Sequence, residues 1–148
     1  MRVAPMTSRF LDAARRRPTD VRPVWFMRQA GRYMKSYRDI RAKHSMLEIC
    51  KRPDLAAAVT IQPVEALDVD AAIIFADLLL PVEPMGLKLS YPQKEGPMIH
   101  NPVLSSEDVD SLSTSNTDDL GYVGEAIQQT VRALAGRVPV IGLSLIHI

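Results

Sequence analysis

Two arginines flank a turn of small residues early in the chain, in the segment Arg28-Gln29-Ala30-Gly31-Arg32. The guanidinium group of arginine stays charged at working pH and can bind a carboxylate through two parallel hydrogen bonds. Gly31 has no side chain, so a ligand can approach the backbone closely at that point. The pattern predicts a binding site for an anion with more than one carboxylate or phosphate, although two arginines at this spacing more often mark an exposed helix.

Asp77 is the second residue that could do chemistry, because it directly follows an apolar run at residues 71–76. Arg28 follows a similar run at residues 24–27. In parallel α/β folds the carboxyl ends of the strands form one face, and active sites gather there. We therefore expect Arg28 and Asp77 to lie on the same face, although 49 positions separate them. A buried ion pair with only structural value is the alternative interpretation.

The elements that must position these residues alternate along the chain. Three short runs are almost continuously apolar, which is typical of parallel strands covered on both faces. They are residues 24–27, 71–76 and 138–143. Helical patterns fill the intervals, with start or stop signals at Pro18, Ser45, Pro53, Thr117 and Gly136. Strands that alternate with helices indicate a parallel α/β sheet, either open and doubly wound or closed into a barrel.

Residues 22–33, RPVWFMRQAGRY, resemble the N-terminal signature of the uroporphyrinogen decarboxylase family. Four further segments match that family in order and spacing. They are residues 50–56 (CKRPDLA), 60–63 (TIQP), 68–77 (DVDAAIIFAD) and 138–142 (VPVIG). The resemblance covers residues 5–144, and the first signature is long enough to be specific.

The resemblance implies an α/β fold of the (β/α)₈ TIM-barrel type, of which residues 1–144 would form the N-terminal part. A barrel of this kind needs about 250 residues, so the expected barrel is incomplete in this chain. Residues 145–148 depart from the family pattern and are expected to be a non-native tail. We therefore expect a truncated chain that is inactive by itself.

The family implies cofactor-free decarboxylation of the four acetate side chains of uroporphyrinogen III, which gives coproporphyrinogen III in haem biosynthesis. By matching position, residues 28–32 are expected to bind the substrate, with Arg28 and Arg32 contacting its carboxylates. Asp77 is expected to accept hydrogen bonds from the pyrrole N–H groups, and Asp77 and Arg28 form the expected catalytic set. A fixed carboxylate would stabilise the cation that forms when a pyrrole carbon is protonated.

Composition limits the partners. The net charge of +1 gives no general attraction to nucleic acid or to an anionic membrane. The longest apolar stretch, residues 71–82, is too short to span a bilayer, and the N-terminus does not have the pattern of a secretory signal. The single cysteine, Cys50, excludes an internal disulfide and fits a cytoplasmic protein. The histidines have no metal-ligand spacing, so no metal site is expected.

Two other functions remain open at this point. Zinc-dependent methyltransferases share the superfamily, but they lack the complete RQAGR segment, which favours the decarboxylase. The second alternative is a non-catalytic fragment that binds carboxylates or takes part in assembly. The family resemblance also implies a homodimer for the full-length protein.

Overall fold

Four helices precede the first strand, and two more precede the last strand, in a computed structural model that describes residues 8–92 and 95–142. The helices are α1 (Arg9–Ala14), α2 (Lys35–Arg41), α3 (Met46–Lys51), α4 (Pro53–Leu67), α5 (Ser106–Asp110) and α6 (Gly121–Leu134). The strands are β1 (Ala72–Ile73), β2 (Leu89–Ser90), β3 (Met98–Ile99) and β4 (Val140–Ile141). Two 3₁₀ turns span Leu80–Val82 and Thr117–Leu120. Residues 145–148, expected to be a non-native tail, lie outside the described residues.

Strands β1 and β4 pair in parallel, with Ala72 opposite Val140 and Ile73 opposite Ile141. This pairing confirms the predicted parallel strands at residues 71–76 and 138–143, over two residues of each; position 143 lies outside the described residues. Helices α4 and α6 cover the pair with two apolar clusters. The buried members are Val64, Val69, Ala72 and Leu134 in one cluster and Ala56, Ile74 and Ala126 in the other.

The prediction of a strand at residues 24–27 is wrong for this structure. Val24 accepts a hydrogen bond from the Asp70 N–H at 2.8 Å, but its own N–H donates to the Asp70 carboxylate at 2.7 Å. A side chain therefore takes the position that a neighbouring strand carbonyl would occupy in a ladder. Phe26 and Met27 are 53% and 57% exposed, so the run lies beside Asp70 without strand pairing and without being buried.

Helix boundaries follow the sequence signals. The Ser45 hydroxyl accepts a hydrogen bond from the Glu48 N–H at 3.1 Å and so caps α3. Pro53 occupies the first turn of α4, as predicted. Helix α4 continues through Pro63 to Leu67, although proline usually kinks or ends a helix. Among the described residues, none of the helices combines the length and the apolarity needed to cross a bilayer.

Candidate functional site

The arginine loop, residues 28–32, presents unpaired charge and unpaired donors. Arg28 and Arg32 are both exposed, and within residues 8–92 and 95–142 neither forms a salt bridge. The backbone N–H groups of the loop donate to no acceptor in the described part of the chain. The alternative interpretation, in which Arg28 and Asp77 form a buried ion pair, is therefore wrong for this structure. Two cations and a row of backbone donors form a surface suited to carboxylates.

Gln29 holds the loop against the core. Its side chain is 2% exposed, and its Nε2–H donates to the Ala71 carbonyl oxygen at 3.0 Å. Its Oε1 accepts from the Phe26 N–H at 3.3 Å, and its backbone carbonyl accepts from the Tyr33 hydroxyl. The Gln29 side chain is thus buried and hydrogen-bonded at both ends. Gly31, by contrast, is only partly buried, and Arg28 and Arg32 are exposed to solvent.

Asp77 lies in a turn just beyond the end of β1. Its Oδ1 accepts a hydrogen bond from the Leu79 N–H at 2.8 Å, and its backbone carbonyl accepts from the Leu80 N–H at 3.3 Å. An aspartate that bonds the backbone two residues ahead fixes its own carboxylate orientation. Leu80 is 2% exposed and anchors the turn in the core. The carboxylate is therefore held in place before any ligand binds.

Two protonated groups lie beside the Asp77 carboxylate. Burial, and then the negative charge of Asp77, raise the pKa of the Cys50 thiol to about 12. Burial and Asp77 likewise raise the pKa of the Tyr91 phenol, whose hydroxyl is buried without a hydrogen bond of good geometry to another described residue. Both groups stay protonated at neutral pH. Neither group therefore adds negative charge beside the Asp77 carboxylate.

One apolar cluster joins the arginine loop to the strand that leads to Asp77. Its buried members are Met34, Tyr37, Ile49 and Val59, and the partly buried Ala30 and Phe75 pack against it. The rings of Tyr37 and Phe75 are 5.7 Å apart. The structure thus brings the loop and the end of the strand onto one cluster, with no hydrogen bond or ion pair between Arg28 and Asp77 among the described contacts.

Sequence reasoning missed Tyr91 and the nearby ion pair between Lys51 and Glu83. Lys51 of α3 binds Glu83 at 2.9 Å, which ties α3 to the segment after Asp77. The second oxygen of Glu83 is buried without a partner among the described residues. The alternation of Leu87, Leu89 and Tyr91 with polar residues is typical of a strand with one buried face, and this signal could have placed Tyr91 inside.

The histidines remain outside the site where they are described. His44 contacts Glu48 at 2.6 Å, and His100 contacts Ser90 at 2.8 Å. No group of three or more metal-ligating side chains occurs in residues 8–92 and 95–142. His147 lies outside the described residues.

A parallel strand pair covered by helices, with a fixed carboxylate beyond one strand and an arginine loop packed beside it, places the chain in the α/β class. The family model described as uroporphyrinogen decarboxylase (URO-D) matches residues 6–145, and the chain belongs to this family. It is 82% identical over 142 residues to the uroporphyrinogen decarboxylase of Solibacter usitatus (strain Ellin6076), covering 96% of this chain and 41% of that protein. It is 56% identical over 138 residues to that of Roseiflexus sp. (strain RS-1), covering 93% of this chain and 40% of that protein. The chain spans about two fifths of the length of these relatives.

A solved structure shows the same fold. The methyltransferase from Methanosarcina mazei superposes with a TM-score of 0.68 and 19% sequence identity, over 90% of this chain and 40% of that chain. At this level of identity the likeness concerns the fold alone. With the family match, it confirms the predicted α/β fold as an incomplete (β/α)₈ barrel.

Proposed function

We propose that the full-length protein removes carbon dioxide from the four acetate side chains of uroporphyrinogen III and gives coproporphyrinogen III. The observation that carries the proposal is the placement of the arginine loop beside the strand that ends near Asp77. Arginines and free backbone N–H groups suit a ligand with many carboxylates. A preorganised carboxylate beside them suits a ligand that becomes cationic during the reaction.

Residues 28–32 bind the substrate in this proposal. Arg28 and Arg32 contact its carboxylates through their guanidinium groups, and Gln29, Ala30 and Gly31 contribute backbone N–H groups. The exposure of both arginines and the unpaired N–H groups of the loop support this role. The same features would accept other polycarboxylates, so the choice of uroporphyrinogen comes from family membership.

Asp77 acts on the charge that develops in the ring. A proton adds to the α carbon of the pyrrole, next to the ring carbon that carries an acetate arm, and the ring nitrogen then bears positive charge. The bond between the acetate methylene and its carboxylate breaks, carbon dioxide leaves, and the electron pair forms an exocyclic C=C bond while the ring nitrogen becomes neutral. A proton then adds to the exocyclic methylene to give a methyl group, and the α carbon loses its added proton, which restores the pyrrole. Asp77 accepts hydrogen bonds from the pyrrole N–H groups and stabilises the cation. Arg28 is the second residue of the proposed catalytic set.

The substrate supplies its own electron sink in this scheme, so we propose no metal or organic cofactor. The alternative of a zinc-dependent methyltransferase has less support, because the likeness to the Methanosarcina mazei methyltransferase rests on 19% identity and on the fold alone. We also propose that the full-length protein is a cytoplasmic homodimer. The unpaired, buried Cys50 fits a reducing compartment. Residues 1–144 are proposed as the native barrel segment.

The proposal is tested in a chain that joins residues 1–142 to the remaining C-terminal part, about three fifths, of the Solibacter usitatus relative; we name it the extended chain. The extended chain is incubated with uroporphyrinogen III under reducing conditions, and the products are oxidised and separated by their number of carboxylates. Stepwise loss of four carboxylates, unchanged by a chelator, is expected. The 148-residue chain alone should give none.

A folded extended chain that leaves every carboxylate in place, while the intact Solibacter usitatus relative is active in the same assay, would contradict the proposal. Transfer of a methyl group to a thiol after zinc addition would support the methyltransferase instead. Size-exclusion chromatography of the extended chain tests the homodimer, and a monomer at working concentration would exclude it.

A further inference from the structure

Gln29 uses both ends of its side-chain amide on backbone groups of two separate segments. The Nε2–H donates to the Ala71 carbonyl oxygen at 3.0 Å, directly before β1. The Oε1 accepts from the Phe26 N–H at 3.3 Å, on the segment that leads into Arg28. With the residue only 2% exposed, neither end of the amide is available to a ligand in solution.

The bond to Ala71 is the long-range hydrogen bond of the arginine loop. Within residues 8–92 and 95–142, the other hydrogen bonds to residues 28–32 come from Phe26, Tyr33, Met34 and Arg38, all close in sequence. Arg28 and Arg32 add no ion pair that would fix the loop, as noted above. The orientation of the loop relative to β1 therefore depends on one buried amide and on the packing of Ala30.

We propose that Gln29 is a positioning residue: its side chain fixes the arginine loop against the strand that leads to Asp77 and does not contact the substrate. The inference rests on the proposed function, since the distance between the guanidinium groups and Asp77 then sets how well a polycarboxylate substrate binds. Displacing the loop weakens carboxylate contacts that substrate and transition state share, so the loss should appear mainly in KM.

Three variants of the extended chain test the proposal. Gln29→Met keeps the length of the side chain and removes both hydrogen bonds. Gln29→Asn keeps the amide but is one methylene too short to reach both partners, and it serves if the methionine variant does not fold. Gln128→Met, on the exposed side of α6, is the matched control because it removes an amide far from the loop.

Two readouts separate positioning from a general loss of structure. In Gln29→Met and Gln29→Asn, the KM for uroporphyrinogen should rise about tenfold or more while kcat changes less than about threefold, the signature of lost uniform binding. Amide hydrogen exchange of Phe26 and Met34, whose N–H groups donate to Gln29 and Gly31 of the loop, should accelerate, with exchange in α4 and α6 unchanged. Gln128→Met should match the parent chain in both readouts.

Each outcome decides a separate point. A raised KM with unchanged loop exchange would mean that the side chain of Gln29 touches the substrate, and the proposal would be wrong. Unchanged KM together with unchanged exchange would also overturn it. If the parent extended chain turns over no uroporphyrinogen, the proposed function fails, and loop exchange in the Gln29 variants still decides whether this amide fixes the loop.

Discussion

The hydroxyl of Thr60 joins helix α4 to Phe75, on the segment between β1 and Asp77. It donates to the Ala56 carbonyl oxygen at 2.7 Å and accepts from the Phe75 N–H at 2.8 Å. Thr60 is fully buried, and Phe75 contacts the cluster that also receives the arginine loop. One hydroxyl therefore holds the backbone that positions the candidate catalytic carboxylate.

The first prediction concerns this hydroxyl. Thr60→Val in the extended chain should lower the free energy of unfolding by about 1–3 kcal/mol, because the partly buried Phe75 N–H loses its acceptor. Thr130→Val is the matched control: Thr130 is also fully buried, but its hydroxyl only donates to the Ala126 carbonyl oxygen within α6. A bond of that kind adds little to helix stability. Urea denaturation measures both changes, and equal losses would show that the bond to Phe75 has no special weight.

The second prediction concerns the charge of Asp77. Asp77→Asn keeps the shape of the side chain and removes the charge that should stabilise the pyrrole cation. We expect kcat of the extended chain to fall about 10²-fold or more, the scale for losing one preorganised electrostatic group. Steady-state assays measure it, with Asp39→Asn on the exposed surface of α2 as the control. A kcat near that of the parent chain, with an intact fold, would make Asp77 a structural carboxylate.

The third prediction concerns Arg32. Arg32→Ala should chiefly raise KM, because substrate and transition state share a carboxylate contact more nearly equally. The rise in KM should shrink at high salt, where the exposed charge of the parent chain is already screened. Arg132→Ala on α6 removes an exposed arginine elsewhere and should leave both constants unchanged. A fall in kcat at unchanged KM would assign Arg32 to the transition state instead.

The fourth prediction concerns Cys50 and alkaline pH. Its thiol has an ordinary pKa of 9.0 and a folded pKa raised to about 12, mainly by burial and then by Asp77. Between these values the unfolded chain binds fewer protons than the folded one, so the free energy of unfolding must fall as the pH rises. Partly buried Tyr122 adds the same trend, because burial also raises its pKa to about 12.

Comparison with Cys50→Ala isolates the contribution of the thiol. The cavity that alanine leaves is the same at every pH, so only the slope between pH 9 and 12 reports on ionisation. The slope should be smaller in Cys50→Ala, as measured by denaturation at several pH values in that window. Parallel curves for the two chains would mean that the thiol ionises equally in both states.

Local patterns predicted much of this fold. The caps at Ser45 and Pro53 mark the starts of α3 and α4, since capping depends on a few adjacent residues. The apolar runs around Ala72 and Val140 correctly indicated parallel strands. The same reasoning failed at residues 24–27, because an apolar run does not show that a carboxylate 46 positions away will take the N–H of Val24.

The sequence by itself determined the residue types of the site and their family. The arginine loop and Asp77 are recognised from short local patterns. The longer signature at residues 22–33 is specific enough to indicate the family without any structure. Only the tertiary structure decided that Gln29 is buried against Ala71, that Tyr91 and Cys50 lie beside Asp77, and that Arg28 and Asp77 form no ion pair. Such contacts join segments that are far apart in the chain. They depend on how helices and strands pack, and residue types and their spacing do not determine that packing.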